Sequence, residues 1–349
     1  MRIRNLSVVA IGGALALLTA CSGGSQGSTT SVVPGSGTSM VRHSYSELVR
    51  TGIAPQFFPL LRFHRVKAHR LTGGSPNPRH ILVDDAGAAN VNVIDSNFSW
   101  SSDGTFNGGI AGPDGNFVDA QHNFYEADYV NLVVNEFAHA GSTEWIGSTP
   151  SFVYNSGLTD PIGVAVDKSG NVYAANWNFG SAGAVVEYPQ GSNTPINTCT
   201  LTGGVEGVAI DSAGDVFADQ NTSGAGSIVE YVGGLSGCTA TPLSISGLGF
   251  LGGMAIDKAG NLLVCDQTNV KVDVIAPPYT SITGTLGSGY TTPFHVTLNK
   301  KNKVAYVADD SAAAVYIVSY PSGAPIFTLN STQGLVDPYA AVFGANAVY

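Results

Sequence analysis

The chain predicts an all-β fold, a six-bladed β-propeller closed by its own last strand, and three observations carry that expectation. A phrase of small and branched apolar residues around a tight turn runs from Pro161-Ile162-Gly163-Val164-Ala165-Val166-Asp167 through Gly170-Asn171-Val172-Tyr173. It returns as Val205 to Phe217 and as Leu251 to Leu263, with a weaker copy from Pro293 through Asn299 to Tyr306. The anchoring Asp167, Asp211, Asp257 and Asn299 stand 44, 46 and 42 residues apart, and a period in the forties made of strands and turns marks a propeller. The third observation is a displaced strand. His80 to Asp84 and Asn90 to Ile94 supply only a second and a third strand, while Val336 to Val342 repeats the opening of the phrase at the other end of the sequence.

Taken in order, the chain divides into residues 1–20, 21–40, 41–79 and 80–349. Arg2 and Arg4 precede an apolar run from Leu6 to Leu17, too short to span a bilayer comfortably, and small residues follow it. That is the pattern of a secretory signal peptide. Leu18-Thr19-Ala20-Cys21 matches the bacterial lipobox, which implies cleavage before Cys21 and a lipid anchor on its thiol. A membrane-anchored protein of the cell envelope is the expectation, at the outer membrane and periplasm or at the cell surface; Ser22 fits the outer-membrane sorting pattern of proteobacterial lipoproteins, and the choice of membrane stays open. Residues 22 to about 40 are mostly Gly, Ser and Thr, a flexible tether.

Charge is divided unevenly. Residues 40–79 carry Arg42, Arg50, Arg62, Arg65, Lys67, Arg70 and Arg79 against Glu47 alone, a net +6. Residues 80–349 carry six lysines and no arginine against 24 acidic residues, a net −18. Phosphate would be repelled by such a body, so nucleic acid is not an expected partner. The basic segment has two readings: contact with anionic headgroups or wall polymer beside the anchor, or docking on the acidic ring. Phe57, Phe58, Leu60, Leu61 and Phe63 favour docking, because they need an apolar surface to cover.

Within the repeats, Gly163 to Val166 and Val172 to Ala175 read as the first hairpin of a blade. Asp167, Asp211 and Asp257 read as turn formers that accept backbone N–H groups, with Gly170, Gly214 and Gly260 in the left-handed conformation. Gly163, Ala165, Gly207, Ala209, Gly253 and Ala255 suit the innermost strands, where blades crowd a narrow channel. Third strands follow at Ala184 to Tyr188, Ser227 to Tyr231, Val270 to Val274 and Ala314 to Val318. For the preceding blade, Gly109-Ile110-Ala111 with Asp114 to Val118 is the expected first hairpin and Val130 to Val134 the third strand. A seven-bladed ring, with Ala347-Val348-Tyr349 opening a further blade, is the alternative.

These repeats resemble the NHL-repeat propellers and, beyond them, the six-bladed gluconolactonase and regucalcin-like group, over about residues 80 to 349. The resemblance lies in the repeat and implies a ring whose function varies between members. Loops leaving second strands and entering first strands would gather at one mouth of the channel. There they would bring Asp84, Asp85, Gln121, Asn176, Asp219, Asp266 and Asp309 near Asp160, Glu206, His295 and Asp337. Asp84, Asp219, Asp266, Asp309, Asn176 and Glu206 are candidate ligands for Ca²⁺. The same residue types also cap turns at strand ends. In the gluconolactonase group such a metal polarises a lactone carbonyl, so a lactonase- or lyase-like enzyme is the alternative function, although the group's Glu/Asn/Asp set is not matched residue by residue here. His295 takes the place of Gly163 and Gly207. It is the one candidate for a catalytic group, or a hydrogen-bonded structural histidine.

Trp177, Phe179, Tyr125, Phe250, Tyr290, Phe294 and Tyr339 fall in loops expected at that mouth, where aromatics suit peptide, protein or carbohydrate recognition. A monomer acting as a binding module is the leading expectation. Cys199 and Cys238 lie in outer-strand regions of consecutive units and are candidates for a disulfide, and Cys265 is expected to be a buried thiol. The absence of any CxxC or Cys/His cluster excludes a finger-type zinc site.

Overall fold

The computed structural model describes residues 80–96, 100–138, 149–178, 182–222 and 225–344. The signal peptide, Cys21, the tether, the basic segment, Phe179 and Ala347 to Tyr349 lie outside them. Strands β1 (His80–Asp85), β2 (Asn90–Asp95) and β3 (Ser102–Phe106) open the ring. The second blade is β4 (Pro113–Val118), β5 (Phe124–Asp128), β6 (Val133–Phe137) and β7 (Phe152–Tyr154), and the third is β8 (Pro161–Val166), β9 (Val172–Asn176), β10 (Ala184–Tyr188) and β11 (Asn197–Thr200). The fourth is β12 (Val208–Ile210), β13 (Val216–Thr222), β14 (Ala225–Tyr231) and β15 (Thr241–Pro242). The fifth is β16 (Leu251–Ile256), β17 (Leu262–Asp266), β18 (Lys271–Ile275) and β19 (Gly284–Thr285), and the sixth is β20 (Pro293–Leu298), β21 (Val304–Asp309), β22 (Ala314–Ser319) and β23 (Pro325–Leu329). Last comes β24 (Pro338–Phe343), which pairs antiparallel with β1 and makes the order β24-β1-β2-β3 in the first blade.

Six antiparallel four-stranded sheets result, and the six-bladed expectation holds. Closure is by hydrogen bonds between distant parts of the chain. Val83 faces Ala341 and Ile81 faces Phe343, while Ala86 N–H donates to the Asp337 carbonyl at 3.0 Å and Gly344 N–H to that of His80 at 2.8 Å.

Each blade meets the next through one apolar cluster, and there are six such clusters for six junctions. Between the third and fourth blades the cluster includes Tyr173, Val185, Cys199, Val208 and Tyr231. Between the sixth and first it includes Ile81, Val83, Val315, Ile317 and Ala341. Full burial of a side chain of this size contributes about 1.5–3 kcal/mol, so the junctions, more than any one sheet, hold the ring. A disulfide between Cys199 and Cys238, with Cα atoms 5.1 Å apart, crosses the third junction. Cys265 is a free, fully buried thiol whose ionisation burial pushes up.

The small residues of the phrase are explained by the approach of neighbouring first strands. A Cβ on Gly115 would stand 2.5 Å from the Ile162 carbonyl oxygen and one on Gly207 2.8 Å from that of Gly252. Gly163 and Gly252 face the carbonyls of Glu206 and Phe294 even more closely. Further along the same strands, Ala165, Ala209 and Ala255 help line a central cavity of about 60 Å³.

The turns behave as their residues dictate. Asp167 accepts from Ser169 N–H at 2.8 Å and Asn171 N–H at 2.9 Å, two and four residues on, and Gly170 takes φ 88°. Asp211 and Asp257 repeat the arrangement.

One blade departs from expectation. Asp114 to Val118 is not the second strand of the second blade but most of its first, β4, and the turn comes at Asp119. Asp119 accepts from Asn123 N–H at 2.7 Å, and His122 occupies the glycine's place with φ 67°. The true second strand is β5, and β6 begins at Val133, not Val130. The phrase is therefore present here too, with a histidine where the copies anchored at Asp167, Asp211 and Asp257 have glycine and the copy anchored at Asn299 has Asn302, φ 50°.

Candidate functional site

First strands run away from the mouth of the channel and second strands run back to it. At the mouth, each second strand delivers a side-chain oxygen that holds the loop entering the first strand. Asp85 accepts from Val336 and Asp337 N–H at 2.8 and 2.9 Å, and Asp128 from Ala111 and Gly112 at 2.8 and 3.0 Å. Asn176 accepts from Thr159 and Asp160, both at 2.9 Å. Asp219 accepts from Glu206 and Gly207 at 2.9 and 2.7 Å. Asp266 takes Gly249 at 2.8 Å, and Asp309 takes Thr291 and Thr292 at 2.7 and 2.9 Å. Such bonds, from a neutral amide oxygen in the third blade and from carboxylates in the others, fix the loops on the blade ends.

This arrangement accounts for four of the six calcium-ligand candidates, Asn176, Asp219, Asp266 and Asp309, each of which is turned to its own loop. A fifth, Glu206, accepts from Gln267 Nε2 at 3.0 Å. Asp84 lies fully buried behind Asp85, which performs the loop-holding role in the first blade. Among the described residues no group of three or more His, Cys, Asp or Glu side chains is placed to hold a metal ion. The loop-holding Asp128 escapes the sequence reading because the second blade's register is misread there, which puts Gln121 in its place.

Burial raises the carboxyls of Asp84 and Glu126 well above the usual range, and Asp128 adds repulsion to both. Asp219 is raised for the same first reason, against the lowering effect of its N–H donors.

Asp114, Ile162, Gly252, Phe294 and Tyr339 are each the second residue of a first strand, and in the fourth blade Glu206 stands two residues before β12. Ile162 and Phe294 join Trp177, Tyr129, Phe250 and Tyr339 in one apolar cluster. Trp177 meets Phe250 edge-to-face with ring centres 5.4 Å apart, and Phe294 meets Tyr339 at 4.8 Å. Phe294 is almost fully covered, whereas Tyr129, Phe250 and Tyr339 are half-exposed. Four of the expected mouth aromatics thus converge.

The others do not join them. Tyr125 is fully buried between the second and third blades, its hydroxyl 3.1 Å from Asp119, because it belongs to the far end of β5. Tyr290 is buried at the fifth junction and donates to the Leu286 carbonyl at 2.9 Å. Tyr129 and Ile162 are the members that sequence reasoning missed.

His295 sits one residue deeper than Phe294, against the Cα of Gly253 and lining the cavity below. Burial lowers its pKa from 6.5 to about 4, so the ring is neutral at physiological pH. The cavity is otherwise lined mostly by aliphatic groups such as Val164, Ile210, Met254 and Leu298. A neutral imidazole there packs one residue below Phe294, and among the described residues no second histidine lines the cavity with it.

The two faces differ in charge. Lys168, Lys258, Lys300, Lys301 and Lys303 all lie in turns on the face opposite the mouth. On the mouth side, Lys271 holds Asp273 with Nζ 2.9 Å from Oδ1.

No protein-family model matches the chain, and no curated protein sequence matches it. Solved structures do match in fold. A chain from the crystal structure of a nidogen/laminin complex superposes with TM-score 0.61 at 15% identity, covering 77% of this chain and 99% of that one. A protein of unknown function from Bacteroides caccae superposes with TM-score 0.57 at 9% identity, covering 76% and 98%. At such identities the likeness is one of architecture.

Proposed function

We propose that the protein is a lipid-anchored, extracytoplasmic interaction module that receives a protein or peptide segment across the channel mouth. The observation that carries this reading is the aromatic cluster contributed by five of the six blades, half-exposed at Tyr129, Phe250 and Tyr339. Rigid aromatics set on strand ends offer large apolar area at little entropic cost, the usual make-up of a binding hot spot. The loop-holding carboxylates keep that surface preorganised. A nidogen/laminin complex among the structures of like fold is in keeping with a propeller used to hold another protein. The anchor is part of the proposal through the lipobox at Cys21, as is kinship with NHL-type propellers through the repeats.

Panning a random-peptide display library against the immobilised protein tests the binding face. Selected peptides should lose at least about tenfold in affinity for the Phe250→Ser, Tyr339→Ser protein, the equivalent of about 1.4 kcal/mol, and bind a Lys300→Ser, Lys301→Ser control unchanged. Peptides indifferent to the mouth substitutions would overturn the reading. For the anchor, Cys21→Ser should abolish incorporation of labelled palmitate and move the protein from the membrane to the soluble fraction of a bacterial host.

A further inference from the structure

We propose that Asp84, Asn116 and Glu126 form a calcium-binding site inside the junction between the first and second blades. The site stands apart from the aromatic cluster and does not depend on what the mouth binds.

Strand register brings the three together. Asn116 on β4 faces Glu126 on β5. In the other five blades the corresponding pair is aliphatic, as in Val164 with Ala174 or Val296 with Val307. Side chains alternate along a strand. Val118 and Phe124, each two residues from a member of this pair, pack in the apolar cluster that joins the first two blades, and so does Leu82, two residues before Asp84. Asp84, Asn116 and Glu126 therefore face one junction.

Asp84 is out of place in the repeat as well. At its position the second, third and sixth blades have Ala127, Ala175 and Ala308, each just before the loop-holding residue. In the fourth blade the counterpart is Asp219, which accepts two backbone N–H groups of its own loop. Asp84 accepts none, because Asp85 holds the first loop.

What the three side chains lack is donors. Both carboxylate oxygens of Asp84, Asn116 Oδ1 and Glu126 Oε1 are buried without a hydrogen-bond partner. Glu126 Oε2 receives Asn135 Nδ2 at 2.9 Å. Asn116 Nδ2 reaches the Leu82 carbonyl across the junction at 3.5 Å, and its side chain stands beside Asp84. Four buried acceptor oxygens suit a hard cation, which takes carboxylate and amide oxygens and completes its shell with water. Two carboxylates balance a divalent charge, as a buried site requires, so no third acidic side chain is needed. Without the ion the two carboxyls keep protons, since burial raises both; the ion takes the place of those protons. Bound there, it would fasten the first blade, which is built from both ends of the ring, to the second.

The test is a calorimetric titration with Ca²⁺ of the whole unlipidated chain, made with Cys21→Ser and stripped with a chelator. One ion per chain should bind, with Kd about 0.1 mM. At about 5 mM Ca²⁺ the thermal midpoint should rise by about 4 °C. Asp84→Asn with Glu126→Gln should abolish both effects. Asp84→Ala, which installs the residue of three other blades, should weaken binding at least about tenfold and serves if the double variant misfolds. No binding up to about 10 mM, or equal binding in parent and variants, would overturn the site. Tighter binding of Mg²⁺ than of Ca²⁺ would overturn the assignment to calcium. Variants that lose the same stability with and without Ca²⁺ would leave these residues a structural role alone and overturn it too.

Discussion

Asp309 receives Thr291 N–H and Oγ1, Thr292 N–H and Ala312 N–H, the last at 3.1 Å, within a fully buried site. Its role follows from what removing it would strand. Asp309→Ala leaves buried donors without an acceptor and should cost about 2–4 kcal/mol in chemical denaturation, whereas Asp309→Asn keeps one acceptor oxygen and should cost less. Equal losses would mean that the loop finds other partners. His295 invites a different measurement, because its folded pKa of about 4 lies below its ordinary 6.5. Below pH 6.5 the unfolded chain takes up a proton that the folded ring refuses, so stability falls as pH drops through this window. At pH 4.5 the loss relative to pH 7 should be about 2 kcal/mol from this group. His295→Gln should remove that portion of the acid sensitivity; an unchanged slope would place the imidazole in water.

At the scale of the element, the blades were legible where the turn spelled itself out. Asp-x-x-Gly-Asn names both the hydrogen-bond acceptor and the left-handed residue, so the third and fifth blades could be read directly. The second blade hid because Asp114-Gly115-Asn116 imitates that turn inside a strand, while the real turn carries His122 at positive φ. The same slip sent Tyr125 to the mouth on paper and into a junction in the fold. Ile162 and Tyr129 were overlooked for another reason: an apolar residue at a strand start gives no sign of which neighbours it will meet across a channel. The ring's close first strands make a sharp prediction. In Gly163→Val the new side chain must push the Glu206 carbonyl aside, and overpacking of this kind costs about 1–3 kcal/mol, read as a lower urea midpoint. Reducing the Cys199–Cys238 bridge, which closes 39 residues, should remove about 4 kcal/mol on the loop-entropy account. A midpoint unmoved by reductant would show that the third junction holds without the bridge.

On the scale of the whole ring, the question is how a body with 24 acidic residues and six lysines stays closed. Part of the answer is that some of those acids need not be charged. Asp84, Glu126 and Asp219 are held protonated to higher pH than in the unfolded chain, chiefly by burial. Asp84 also feels Asp128 and Asp85, and Glu126 feels Asp128, Asp84 and Asp114. The sign of the consequence is fixed. Unfolded, these carboxyls ionise near their ordinary 3.8 and 4.5; folded, they keep their protons longer. Between the two values the folded ring binds more protons, so each rise in pH favours unfolding until the folded groups have also ionised. Their contribution is complete below about pH 4 and is lost as pH climbs through the raised values. Asp84→Asn with Glu126→Gln keeps the shape and the hydrogen bond from Asn135 Nδ2, 2.9 Å from Glu126 Oε2, while removing the titration. Thermal midpoints measured from pH 7 to 9, above the window in which His295 acts, should fall with pH in the parent and fall less steeply in the double variant, the gap widening on the alkaline side. Parallel curves would mean that the two carboxyls are already ionised, with their charge balanced by something the buried junction of the first two blades would have to supply.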